Sequence, residues 1–206
     1  MLLPTRCPLC TRPGPAPCAT CATRLPPARA SPYPAVLAYA GEARRLIHAL
    51  KYRNGRAVAG SLGMAMADLV GPGAVDVVTW APTASRRRRA RGYDQAEVLA
   101  RAVGRQLGVP VRSLLRRTDR AGPQTGRRRA ERLALAPAFV TVGRVAGRVL
   151  VVDDVVTTGA TLHAASTALL AGGARTVLAV AAAATPRPRS YTREAATEKE
   201  QAWTSR

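Results

Sequence analysis

The stretch that decides the fold of this chain is Arg148-Val-Leu-Val-Val-Asp-Asp-Val-Val-Thr-Thr-Gly-Ala-Thr-Leu162. Its apolar run 149–152 predicts a buried β-strand that leads into an acidic pair, Asp153 and Asp154. A short loop then opens a predicted helix over 160–171, and the loop consists of Thr157, Thr158, Gly159, Ala160 and Thr161. A strand, a loop and a helix in this order are typical of a parallel α/β sheet.

Each part of this stretch suits a sugar phosphate. Ligands of parallel sheets bind at the carboxyl ends of strands, and a helix N-terminus offers free N–H groups to an anion. The aspartates would repel a phosphate, but they suit sugar hydroxyls or a divalent cation. In the alternative interpretation the aspartates end the strand and Thr161 caps the helix. Adjacent like charges at the end of a buried strand fit that alternative poorly.

The stretch resembles the phosphoribosyl diphosphate (PRPP) motif of type I phosphoribosyltransferases. The resemblance implies that Asp153 and Asp154 bind the ribose hydroxyls and Mg²⁺, and that residues Thr157 to Thr161 hold the 5′-phosphate. The stretch is not a P-loop, because the Gly-Lys-Ser/Thr ending of a P-loop is absent.

Alternating apolar runs and amphipathic segments continue along the body of the chain. They predict an α/β fold, a mainly parallel sheet flanked by helices. The resemblance to the PRPP motif implies that this fold is of the type I phosphoribosyltransferase kind. The predicted strands are 75–80, 111–115, 149–152 and 176–183; the predicted helices are 41–51, 60–70, 94–107 and 160–171. Helical spacing places Leu69 and Leu170 on inward faces.

A second cluster of charge follows the predicted strand 75–80. Its five arginines are Arg86, Arg87, Arg88, Arg89 and Arg91. They would suit a departing pyrophosphate or a nucleic-acid backbone, and a solvated loop is the third interpretation. Further along, Gln124 to Arg132 lies in a long irregular connection, which we interpret as a basic lid.

Four cysteines form two Cys-x₂-Cys pairs near the N-terminus: Cys7, Cys10, Cys18 and Cys21. This spacing predicts a closed structural Zn²⁺ site, while a pair of disulfides or a degraded site are the alternatives. About 25 residues cannot bury a useful core, so a metal would supply their folding energy. We expect a Cys₄ module over 1–25, a proline-rich linker over 26–34, a phosphoribosyltransferase-like domain over 35–185 and a disordered tail over 186–206.

Taken in order, these features resemble the ComF family of competence-associated, phosphoribosyltransferase-like proteins. The resemblance covers about residues 7–184 and adds Tyr39, Lys51-Tyr52, the segment Arg-Gly-Tyr-Asp-Gln at 91–95, and Gln124 with Arg132. It implies an N-terminal zinc module and an association with DNA uptake. The chain departs from the family pattern in reading Ala-Pro-Thr at 81–83 and Leu135 at a position where asparagine is frequent.

Composition limits the classes of partner. The chain has 206 residues, 47% of them hydrophobic, and a net charge of +20, which favours polyanions. A G+C-rich coding sequence is the other explanation for so many arginines. The longest apolar run, Val177 to Ala184, is too short to span a membrane, and the first residues lack a signal-peptide core, so we expect a cytoplasmic location.

Two functional hypotheses follow. The first is a phosphoribosyltransferase that binds PRPP and Mg²⁺ and displaces pyrophosphate. The second is a non-catalytic accessory protein of natural competence that binds single-stranded DNA and DNA-uptake proteins. Only 4% of the residues are aromatic, so the second hypothesis rests on charge rather than on base stacking. No residue identifies the acceptor substrate.

Overall fold

The computed structural model describes residues 5–50, 55–84, 92–118 and 138–186. In chain order the elements are α1 (Ala19–Ala22), β1 (Ala35–Ala38), α2 (Gly41–Ala49), α3 (Gly55–Val70), β2 (Val77–Trp80), α4 (Gln95–Leu107), β3 (Leu115–Thr118), β4 (Ala138–Thr141), β5 (Arg148–Val156), α5 (Ala160–Ala171) and β6 (Thr176–Ala184).

A four-stranded parallel sheet with the order β1-β6-β5-β2 forms the centre of the fold. Strand β5 is internal, and its residues from Val149 to Val152 are paired with β2 on one side and β6 on the other. These four residues are fully buried, which explains why the strand is apolar on both faces. The predicted α/β fold with a mainly parallel sheet flanked by helices is therefore confirmed.

Helices cover both faces of the sheet. The first apolar cluster joins α2, α3 and α4 to one face, and the second joins α5 and the antiparallel hairpin β3–β4 to the other. Helices α3 and α4 lie so close that a Cβ on Gly63 would come within 2.5 Å of the Ala102 Cβ. The glycine at position 63 therefore sets the distance between these two helices.

Several details differ from the sequence-based expectation. The second predicted strand lies at Leu115–Thr118 instead of 111–115, and Val111 makes a single bridge to Val78. Leu69 and Leu170, predicted to face inward, are 50% and 51% exposed. Helical periodicity predicted a wider apolar face than the sheet covers.

An ion pair fixes the amino end of β5. The Arg148 guanidinium donates to the Asp76 carboxylate, with Nη2 2.6 Å from Oδ1, and the Arg148 amide donates to Oδ2 at 2.8 Å. These hydrogen bonds lower the pKa of Asp76 to about 2. Asp76 directly precedes β2, so the pair connects the starts of two neighbouring strands.

The cysteine-containing segment packs against the body of the protein. Cys7, Leu9 and Cys21 belong to the same buried cluster as Leu46 of α2. Arg24 also forms an ion pair with Glu42, at 3.2 Å. The division of the chain at 25, 34 and 185 stays a prediction, and residues 187–206 of the expected tail lie outside the described residues. None of the described helices has the length and apolar character needed to cross a bilayer.

Candidate functional site

The acidic pair lies inside β5, just beyond the point where β2 ends. Trp80, the last residue of β2, is paired with Val152, and the Ala81 amide donates to the Val152 carbonyl at 2.9 Å. Asp153, the next residue, is paired with Ala181 of β6. The pair therefore lies at the carboxyl end of the sheet, beside the end of β2.

The aspartates do not end the strand, so that alternative interpretation is wrong. Strand β5 continues to Val156, and the amides of Asp154 and Val155 each donate at 2.8 Å to the carboxylate of the preceding residue. The sequence suggested an earlier end because acidic residues are rare in strands. Strand pairing with β6 outweighs that preference here.

The charge of this pair is not compensated by any cation of the described residues. No described lysine or arginine forms an ion pair with either carboxylate. Burial, followed by the charge of Asp154, raises the pKa of Asp153 well above its ordinary value, and Asp94 adds to the effect. A bound cation or hydroxyl donors would stabilise the ionised form of Asp153.

A pocket of about 90 Å³ lies between the acidic pair and α5. It is much smaller than the ~300–1,000 Å³ of pockets that enclose drug-sized ligands, and it suits a single phosphate group. Its lining residues are Asp153, Val155, Val156, Thr157, Thr158, Gly159, Ala160, Thr161 and Leu162. The structure thus brings Asp153 together with all five loop residues predicted from the sequence, whereas Asp154 is outside the lining.

Gly159, not Thr161, is the N-cap of α5. Gly159 has a φ of +84° and no side chain that could cap the helix, and the Ala160 amide donates to the Thr158 hydroxyl at 3.4 Å. The alternative in which Thr161 caps the helix is therefore wrong. The first amides of a helix have no partner within it, so this start leaves N–H groups for an anion. The hydroxyls of Thr157 and Thr158, both exposed, lie on the same loop.

Asp94 holds the loop that follows β2. Its Oδ1 accepts from the Ala96 amide at 3.1 Å, which caps α4, and Asp94 is only 3% exposed. The same carboxylate accepts from the Thr83 amide at 2.8 Å and the Thr83 hydroxyl at 3.2 Å. Burial nevertheless raises the pKa of Asp94, and the charge of Asp154 adds to this. The sequence gave no signal for the contact of Asp94 with Thr83.

Two predicted clusters cannot be placed. Arg86, Arg87, Arg88, Arg89 and Arg91 lie outside the described residues, and so does the proposed lid from Gln124 to Arg132. Their assignment to pyrophosphate, nucleic acid or a lid stays a prediction.

The four cysteines come together as a second candidate centre. Their sulfur atoms lie within 4.8 Å of one another, and the Cys10 and Cys18 sulfurs are 3.6 Å apart. A tetrahedral Zn²⁺ with Zn–S bonds of ~2.3 Å places sulfurs ~3.8 Å apart, so the set fits such an ion. Burial acts to raise the pKa of Cys7, but backbone hydrogen bonds from Cys18 and Leu9 outweigh it and lower the pKa to about 6. The four residues could therefore bind a metal ion.

Comparison with protein families gives one match. Residues 94–203 match the phosphoribosyl transferase domain family, a range that includes Asp94, β5 and α5. No curated protein sequence is significantly similar to the chain.

Solved structures with a similar fold include three enzymes. A glutamine PRPP amidotransferase from B. subtilis is 25% identical, with a TM-score of 0.42, 63% of this chain covered and 28% of that one. An allosteric regulatory enzyme of purine biosynthesis is 24% identical, with a TM-score of 0.41, 60% of this chain covered and 25% of that one. An orotate phosphoribosyltransferase from Aeropyrum pernix is 23% identical, with a TM-score of 0.40, 67% of this chain covered and 62% of that one. The present chain spans about a quarter of the first two proteins.

Proposed function

Because the chain belongs to the phosphoribosyl transferase domain family, we propose that it binds PRPP with Mg²⁺ and transfers the phosphoribosyl group to an acceptor. One observation carries this proposal. Asp153, with its raised pKa, lines the same small pocket as the start of α5, where the N-cap residue Gly159 has no side chain. A group that carries hydroxyls and a phosphate would satisfy both halves of this pocket.

The loop at the start of α5 and the two aspartates would bind different parts of PRPP. The backbone amides and hydroxyls of Thr157 to Thr161 accept the 5′-phosphate at the helix start, where the helix dipole favours an anion. The carboxylates of Asp153 and Asp154 accept hydrogen bonds from the two ribose hydroxyls. These contacts would fix the sugar at two points.

The proposed reaction is a substitution at the ribose C1. A lone pair of the acceptor forms a bond to C1 while the bond from C1 to the pyrophosphate oxygen breaks. Pyrophosphate leaves with that electron pair, and the acceptor loses a proton. Arg86, Arg87, Arg88, Arg89 and Arg91 are the candidates to stabilise the charge that develops on the leaving group.

Mg²⁺ fits the donor set, since it is commonly bound by one or two carboxylates together with substrate phosphates. Asp153 and Asp154 would hold it. When bound, the ion would neutralise part of the negative charge of the pyrophosphate.

We further propose that the chain is a member of the ComF family, in which the Cys₄ cluster holds a structural Zn²⁺. The segment 91–95 and the two Cys-x₂-Cys pairs support this assignment. All four sulfurs are used by a tetrahedral ion, so the metal would have no open position for catalysis. Atomic absorption on protein purified without chelator should give about one zinc per chain, and a ratio near zero would contradict the zinc assignment.

The decisive experiment is a calorimetric titration with PRPP and Mg²⁺. We expect the wild-type protein to bind and the Asp153→Asn/Asp154→Asn variant to lose binding, because the amides cannot hold the cation. Asp76→Asn is the matched control, because it removes a carboxylate at the opposite edge of the sheet and should bind like wild type. Equal binding by wild type and the double variant would contradict the proposed site.

The net charge of +20 supports a second candidate function, in which the protein binds single-stranded DNA in natural competence together with DNA-uptake proteins. In that case PRPP would not bind. Binding to single-stranded DNA would weaken steeply with salt and be lost when Arg86, Arg87, Arg88 and Arg89 are replaced by alanine.

A further inference from the structure

The segment before β1 is part of the body of the protein and not a free connection. Residues 26–34, called here the strap, fold back along β1, with an antiparallel bridge between Pro27 and Leu37. Its backbone hydrogen bonds are Ala38 N to Pro26 O at 2.8 Å, Ala28 N to Val36 O at 3.1 Å and Ala181 N to Pro34 O at 3.0 Å. The strap is therefore fixed to two strands of the sheet.

The fixed strap brings Tyr33 against the phosphate loop. A Cβ on Gly159 would lie 2.8 Å from Cε2 of Tyr33 and 3.2 Å from Cγ of Pro32. The ring edge therefore rests directly on the glycine backbone. Gly159 is buried, although Thr157 and Thr158, which precede it, are exposed. The loop is thus open to solvent toward the pocket and covered by the strap at its glycine.

Tyr33 supports the loop without lining the pocket. The lining is made of Asp153 and residues 155–162, and Tyr33 is not among these. The ring packs instead on the apolar cluster that holds α5 to the sheet. Gly159 has no side chain that could cap α5, and the side-chain contact at this start is a long hydrogen bond of 3.4 Å from the Ala160 amide to the Thr158 hydroxyl. The backbone at φ +84° is therefore held by its neighbours, and Tyr33 is the nearest of them.

We infer that Tyr33 is a positioning residue for the 5′-phosphate: its ring holds the loop 157–161 in the conformation that presents the first amides of α5 to the ligand. The inference rests on the proposed function, since it concerns the same pocket. It adds a residue from outside the matched family range 94–203 to that site. It also makes the strap a part of the binding site rather than a connection.

The test uses ribose 5-phosphate as the probe, because this ligand reports on the loop without the pyrophosphate. We expect Tyr33→Ala to bind about tenfold more weakly or worse, since a shift of ~1 Å in a binding group can cost ~10²-fold. Tyr33→Phe keeps the ring edge that contacts Gly159 and should bind within about twofold of wild type. Hydrogen exchange of the amides at 158–161 should be faster in Tyr33→Ala even without ligand.

One control variant separates support of the loop from general stability, and a second variant replaces Tyr33→Ala if that protein does not fold. Phe139→Leu alters the same apolar cluster on β4, whose Thr141 packs at the other end of α5. It should lower the melting temperature but keep the affinity. If Tyr33→Ala does not fold, Tyr33→Leu, which keeps apolar bulk but removes the ring edge, takes its place with the same expected result.

The outcomes distinguish this inference from the proposed function. If wild type binds ribose 5-phosphate and the folded Tyr33→Ala variant binds equally well with unchanged exchange, the inference is overturned and the proposed function stands. If wild type binds neither ribose 5-phosphate nor PRPP, both are overturned. Weaker binding by Tyr33→Ala alone supports both.

Discussion

Two carboxylates, Asp76 beside the amino end of β5 and Asp153 in the carboxyl-terminal half of that strand, are in opposite circumstances. At the amino end Asp76 accepts from both the guanidinium and the amide of Arg148, and its pKa falls to about 2. At the carboxyl end Asp153 has no ion-pair partner among the described residues, and burial beside Asp154 raises its pKa. The charge of Asp76 is thus stabilised by its ion pair, whereas ionisation of Asp153 costs free energy.

This difference separates structure from function. Buried charges in proteins are paired with an opposite charge or bind a ligand such as a metal ion, and strongly shifted pKa values cluster at binding sites. Asp76 performs a structural task, because it connects the starts of β2 and β5. The raised pKa of Asp153 follows the pattern expected of a binding site, in which a bound ligand would stabilise the carboxylate.

The largest expected effect is at Asp153. In the ligand-free protein the folded state holds the Asp153 proton more tightly than the unfolded state, because the folded pKa is raised. The free energy of unfolding should therefore fall as the pH rises above about 4, with a limiting slope of about 1.4 kcal/mol per pH unit for one proton. Asp153→Asn should remove most of this fall, leaving the smaller contribution of Asp94, whose pKa is also raised. Urea denaturation over a pH series measures both proteins.

The variant should also be more stable than wild type at neutral pH, while it loses PRPP binding. If the free energy of unfolding of wild type and of Asp153→Asn changed with pH in the same way, ionisation of Asp153 would not destabilise the folded protein. The contrast between Asp153 and Asp76 would then be wrong.

Replacing Asp76 should change the free energy of unfolding less than replacing Asp153, and in the opposite direction. A lowered pKa stabilises the folded state above the unfolded value, and this stability is lost as the pH falls through about 2. Asp76→Asn should therefore be less stable than wild type at neutral pH, and the difference should vanish below the lowered pKa. Both side chains of the pair are about half exposed, so the effect should be small and weaken with salt. The same denaturation series measures it, and a difference that persists at the lowest pH would contradict the assignment to this ion pair.

The fold could be predicted where the signal is local. The apolar runs at 149–152 and 176–183 correspond to the two central strands, and the helix 160–171 begins and ends where expected. β1 and β4 were missed, because four-residue strands with small or mixed residues have no clear period. Leu69 and Leu170 were placed inward because periodicity does not report how far the sheet extends beneath a helix.

The site could be predicted only in part, for the same reason. Asp153 and the loop 157–161 are close in sequence, so their meeting in one pocket was foreseeable, whereas Asp154 lies outside the lining of that pocket. The contacts of Asp94 with Thr83 and of Tyr33 with Gly159 join residues that are distant in sequence. Such contacts depend on the packing of the whole fold, which no local pattern encodes.

The strap has a practical consequence for dividing this protein into parts. A shortened version that begins at β1, where sequence composition would suggest cutting, loses Tyr33 and the backbone partners of Ala38 and Ala181. Such a fragment could keep every residue of the pocket and still bind its ligand weakly. Failure of that fragment would report the missing N-terminal support, not an inactive protein.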